Sequence, residues 1–83
     1  MNELLVKVIL DNVDFYANCD DNVLAPDIAV KQLERISASL RKLKPRELRE
    51  FVSVTASIAQ LCERDDSDRA DFYRSIPENL GLL

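Results

Sequence analysis

Hydrophobic and polar positions follow a helical period along almost the whole chain. In residues 2–17, Glu3, Lys7, Asp11 and Asp14 recur at intervals of four and three. On a helix turning roughly 100° per residue these four make a single charged stripe. Between them stand Leu4, Leu5, Val6, Val8, Ile9, Leu10, Val13, Phe15, Tyr16 and Ala17. Asn2 is a suitable N-cap, and Glu3 in the first turn suits the positive end of the helix dipole. A helix with so wide an apolar arc is either central in its fold or partly covered by another chain. Val6, Leu10 and Val13 form one line along it and are the expected seam of a homodimer.

The segment 18–25, NCDDNVLA, is a loop rich in turn-forming Asn and Asp. Pro26, followed by Asp27, opens a second helix that runs to about Lys42. Within it Ala29, Leu33, Ile36, Leu40 and Leu43 form an inward stripe, with Lys31, Glu34, Arg35, Arg41 and Lys42 outside. Lys44-Pro45 interrupts that pattern and starts a third helix, expected to reach about Arg64. Its apolar arc is Leu48, Phe51, Val52, Val54, Thr55, Ile58, Ala59, Leu61 and Cys62. So short a join makes helices two and three an antiparallel hairpin. The acidic turn 65–68 offers Asp66 or Ser67 as the cap of a short fourth helix over about 68–75, ending before Pro77. Phe72 and Ile76 lie one turn apart there, with Tyr73 alongside. Leu80, Leu82 and Leu83 in the tail are expected to dock on the bundle. The fold expected is therefore all-α: one domain over 1–83, an antiparallel bundle of three main helices and a short C-terminal one.

Composition narrows the function more than the fold. The 83 residues are 47% hydrophobic and 31% charged, with one Gly, two Cys and no His or Trp. A single Gly removes every glycine-rich phosphate loop. Without His there is neither the commonest general base nor the commonest metal ligand. Two thiols, Cys19 and Cys62, cannot complete a four-ligand zinc site. Cys62 reads as a small buried hydrophobe. Cys19 stands in a polar loop among Asn18, Asp20 and Asp21, where a catalytic Cys is not expected. The acids all have surface periodicity, so no carboxylate pair faces across a cleft. An enzyme is not expected, nor a cofactor. The opening apolar run holds Lys7 and lacks a cleavage site, and no stretch reaches the ~18 apolar residues of a membrane span. The expected compartment is the cytoplasm, with both thiols reduced.

Net charge is −4, unevenly spread. Residues 1–27 hold one Lys against six acids, residues 28–49 seven cations against two acids, and residues 50–83 three Arg against seven acids. The run Asp65-Asp66-Ser67-Asp68 with Asp71 invites a calcium reading. A calcium loop needs Gly at its sixth position and a carboxylate at its twelfth. Counting from Asp65, those positions hold Ala70 and Ile76, so the motif fails. The cations Arg41, Lys42, Lys44, Arg46 and Arg49 surround a turn between helices, as in a helix-turn-helix. However, the third helix has a mixed outward face, and the acidic flanks would repel phosphate. Nucleic-acid binding is disfavoured.

Surface recognition is what remains. Asp11, Asp14, Tyr16, Asp20 and Asp21 combine steering carboxylates with an aromatic anchor, as a surface for a basic protein partner would. In length, acidity and four-helix pattern the chain resembles small bacterial immunity proteins, which neutralise a toxin, often a basic nuclease, through an acidic helical surface. The tyrosine pair that marks the nuclease-colicin immunity group has no counterpart, since the aromatics here are Phe15-Tyr16 and Phe72-Tyr73. The resemblance implies a non-enzymatic module that binds one protein. The rival expectation is a structural or regulatory homodimer joined along helix one.

Overall fold

A computed structural model describes residues 1–83. It is all-helical: α1 is Glu3–Asn18, α2 Pro26–Leu40, α3 Pro45–Cys62 and α4 Ser67–Asn79. The starts follow local chemistry. The Asn2 side chain accepts from the amides of Leu4 and Leu5, at 2.8 and 3.2 Å. Pro26 and Pro45 occupy first-turn positions where the missing amide hydrogen costs nothing. Glu47 reaches back to the Lys44 amide at 3.1 Å. Asp66 caps α4 by accepting from the Arg69 amide at 2.9 Å.

The ends depart from expectation. α2 stops at Leu40 and α3 at Cys62, two residues earlier than the apolar patterns suggest; Leu43 continues the stripe from a turn. α4 is longer than expected, because it passes through Pro77 to Asn79. Proline in the last turn removes one backbone bond, and the burial of Ile76, Pro77 and Leu80 offsets that loss. The helix closes in a Schellman motif. Leu82 donates to the Pro77 carbonyl at 2.8 Å and Gly81 to Glu78 at 2.9 Å, with Gly81 at φ +73°.

The packing also differs from the expected hairpin. α2 and α3 are adjacent in sequence but hardly touch. α3 packs most extensively on α4, and α1 lies among α2, α3 and α4. Ala59 of α3 and Ala70 of α4 are both fully buried. The molecule is a slab of 36 × 33 × 20 Å, its thin dimension about two helix diameters. The core combines Val6, Leu10 and Val13 of α1 with Leu40, Phe51, Ile58, Ala59, Ala70, Tyr73 and Ile76. Leu80 and Leu82 complete it from the tail, while Leu83 stays exposed. Thr55 brings a buried hydroxyl with no hydrogen-bond partner.

Candidate functional site

α1 carries nearly every residue singled out as a candidate, and its orientation separates them into three groups. Val6, Leu10 and Val13, expected to form a seam between copies, are the inward face, at 0, 0 and 3% exposure. They cannot meet a second chain without unfolding the first. The physical reason is that α1 is apolar on both faces, and the face that α2, α3 and α4 cover is this one.

The acidic candidates lie near one another, but two of them are already partnered within the chain. Asp11 is partnered on both oxygens: the Tyr73 hydroxyl donates to Oδ1 at 2.6 Å, and the Lys7 ammonium donates to Oδ2 at 2.9 Å. Partial burial alone would raise the Asp11 carboxyl. The bonds from Tyr73 and Lys7, with the Lys7 and Arg69 charges, outweigh it and hold the carboxyl below its ordinary value. Burial, then the bond to Asp11 and its charge, push the Tyr73 phenol up to about 12. Asp14 pairs with the Arg69 guanidinium at 3.2 Å and accepts from Asn18 at 2.7 Å. So two of the expected steering charges are already neutralised within the chain.

Asp11, Asp14, Asp20 and Arg69 do share an open depression of about 550 Å³, floored partly by Phe15, Cys19 and Val23. Asp21 is on the exposed loop beside it and does not line it. Tyr16 lies elsewhere, in a second groove between α1 and α2 with Val8, Ile9, Asn12, Arg35 and Ile36. Its ring meets Phe15 edge-on at 5.5 Å. Nowhere do three carboxylate or thiol side chains converge as they would around a metal ion. Both cysteines are unpaired and partly buried.

The basic run is likewise divided. Arg41 donates to the Leu80 carbonyl at 3.2 Å, and Arg46 pairs with Glu50 at 3.6 Å. Lys42, Lys44 and Arg49 are exposed and make no ion pair. No helix is long and apolar enough to cross a membrane.

The outward face of α1 is the feature the sequence pattern did not isolate. Leu4, Leu5, Val8 and Phe15 are 76, 63, 56 and 49% exposed. They span about 100° of the helix on the side opposite Val6, Leu10 and Val13, with only Asn12 interrupting. The signal was present as the sheer width of the apolar arc, but only the packing says which half is covered.

Comparison with known proteins adds no relative: no protein family matches the chain, and neither does any curated protein or solved structure.

Proposed function

We propose that this chain is a non-enzymatic protein-binding module and that it engages its partner through the outward face of α1. One observation carries the reading. Four large apolar side chains on one face of a single helix stand in water, while thirteen hydrophobic residues, three of them on the opposite face of that helix, fill the core. Contiguous exposed apolar surface of this kind marks interaction sites in small folded domains. Neutralisation of a basic toxin through an acidic surface has less behind it, because Asp11 and Asp14 already have internal cations.

Placing a photo-reactive amino acid at position 8 in the intact chain, inside the cell that makes it, tests the reading. Efficient cross-linking to protein is expected there, against little at Gln60 on an exposed polar face of α3. Equal and low yields at both positions would sink the proposal.

A further inference from the structure

We infer that the partner presents an acidic amphipathic helix, and that this helix lies in the groove between α1 and α2. The inference rests on the reading of α1 as the binding face and names the chemistry of its occupant. The shape of the groove, its charge and its lack of a free backbone edge point to it.

The groove continues the outward face of α1 through Val8, which belongs to both. It has a volume of about 360 Å³, with Ile9, Ile36 and Leu40 as its apolar floor. From Val8 to Tyr16 it follows α1 for roughly 12 Å, a little over two turns of an occupying helix. Both walls are helices whose backbone groups are bonded internally, so no strand edge is free to pair with an extended peptide. An extended segment would leave its own amides without partners against the apolar floor. A helix bonds its own amides and leaves only side chains to be matched.

The charge of the groove has one sign. No carboxylate lines it, and its one charged side chain is Arg35. The residues three and four places from Arg35 along α2 are Lys31, Gln32, Ala38 and Ser39, so its own helix offers it no acid. Arg35 accordingly makes no ion pair within the chain. Lys31 and Lys42 lie within about 40° of it on the same flank of α2, both exposed and both without an ion pair. On the opposite wall the Tyr16 hydroxyl is a further donor without a partner in the chain. Asp11 and Asp14 do not counter these cations, because they turn toward α4 and are engaged by Tyr73 and Arg69. A helix with carboxylates along one edge meets Arg35, Lys31 and Lys42 while its apolar face covers Val8 and the floor. Tyr and Arg are also the side chains in which interface energy concentrates, and complementary charge selects the partner. The partner so defined is opposite in charge to the basic one that the acidic positions of α1 suggest.

The probe is a yeast-displayed library of helices of about 16 residues, with leucine fixed at i, i+3, i+4 and i+7 and the flanking positions randomised to Glu, Gln or Lys. It is selected on the intact chain. Glu is expected to be enriched along one flank of the binders. The best binder, made as a free peptide and followed by fluorescence anisotropy, should lose at least about tenfold in affinity against Arg35→Glu and against Val8→Glu. Both positions are exposed, so neither variant should change the thermal melt. Replacing the Glu residues of the peptide by Lys should restore binding to Arg35→Glu. Enrichment of Lys, or binding indifferent to Arg35→Glu, overturns the acidic occupant. If such binding is still lost in Val8→Glu, the face of α1 stands and only the chemistry of its occupant was misassigned. A library that yields no binder overturns the helix in the groove, and photo-cross-linking at position 8 then decides separately whether α1 binds protein. Co-sedimentation with phosphatidylserine vesicles that Val8→Glu abolishes would assign the face to a membrane and overturn both readings.

Discussion

A phenol at 1% exposure must give its hydroxyl a partner, and Tyr73 gives it to Asp11 at 2.6 Å. The contact joins residues 62 apart in the chain. It sets the pH behaviour of the fold in two windows. The Asp11 carboxyl is held below its ordinary value, so its contribution is present above that value and is lost as pH falls through the depressed one. The Tyr73 phenol is raised from 10 to about 12. Its contribution, on the order of 2 kcal/mol, is complete below pH 10 and is lost as pH rises toward 12, because the unfolded phenol ionises first. Tyr73→Phe should therefore cost about 1–2 kcal/mol at neutral pH and abolish the alkaline loss between pH 10 and 12. Urea unfolding at pH 7 and pH 11, with tyrosinate absorbance followed in both proteins, checks it. An alkaline loss of equal size in the variant would show that Tyr73 is not its source. No sequence pattern announces this pair. Lys7 and Asp11 are legible as a helical i,i+4 pair, but Tyr73 enters only once α4 has been laid against α1.

At the level of the element, the end of α4 shows both the reach and the failure of pattern reading. Asn2, Pro26 and Pro45 mark their helix starts, and of the two caps open for α4, Asp66 or Ser67, the structure uses Asp66, because capping is decided within four residues. Pro77 misleads, because its cost is local and its compensation is not. The Leu80 carbonyl, left over at the end of α4, accepts from the buried Ser37 hydroxyl of α2 at 2.6 Å and from Arg41, the residue that follows α2. α2 thus holds the terminus of α4 closed, and Gly81 supplies the left-handed residue that the turn requires. Gly81→Ala should cost about 1–2 kcal/mol through its backbone conformation. A Cβ there would meet only the far end of the Arg41 side chain, at 2.9 Å, and that end can move. Ser37→Ala should cost about 1 kcal/mol by removing one of two donors to a buried carbonyl. Both should release amide exchange at Gly81 and Leu82 before it rises elsewhere in α4. Exchange that stayed slow at these two amides would contradict the closing role of α2. The antiparallel hairpin of α2 and α3 was misread for a related reason. Chain adjacency limits where α3 can go, but α3 makes its most extensive contact with α4, not with α2.

For the molecule as a whole, the decisive quantity is how little is buried. Only 16 of 83 residues are buried, so each core side chain carries a large share of a small total. The sequence revealed the helical class, the four segments and the inward stripe of α2. It did not reveal the orientation of α1, because both of its faces are made of Leu, Val and Ile. Periodicity cannot choose between equal hydrophobicities; only the shapes of the surrounding helices can. Orientation can be measured by two substitutions of the same chemistry on that one helix. Leu10 is fully buried, and Leu10→Ala should cost about 2–5 kcal/mol through lost burial and the cavity left behind. Leu5 is 63% exposed, and Leu5→Ala should fall within about 0.5 kcal/mol of the parent. Urea unfolding followed by circular dichroism, at protein concentrations low enough to exclude self-association, gives both values. If α1 were turned the other way the two costs would exchange, and if both faces were covered within a single chain both substitutions would be expensive. A large cost at position 10 alone fixes the inward face in solution and leaves Leu4, Leu5, Val8 and Phe15 as surface that the single chain has no means of covering.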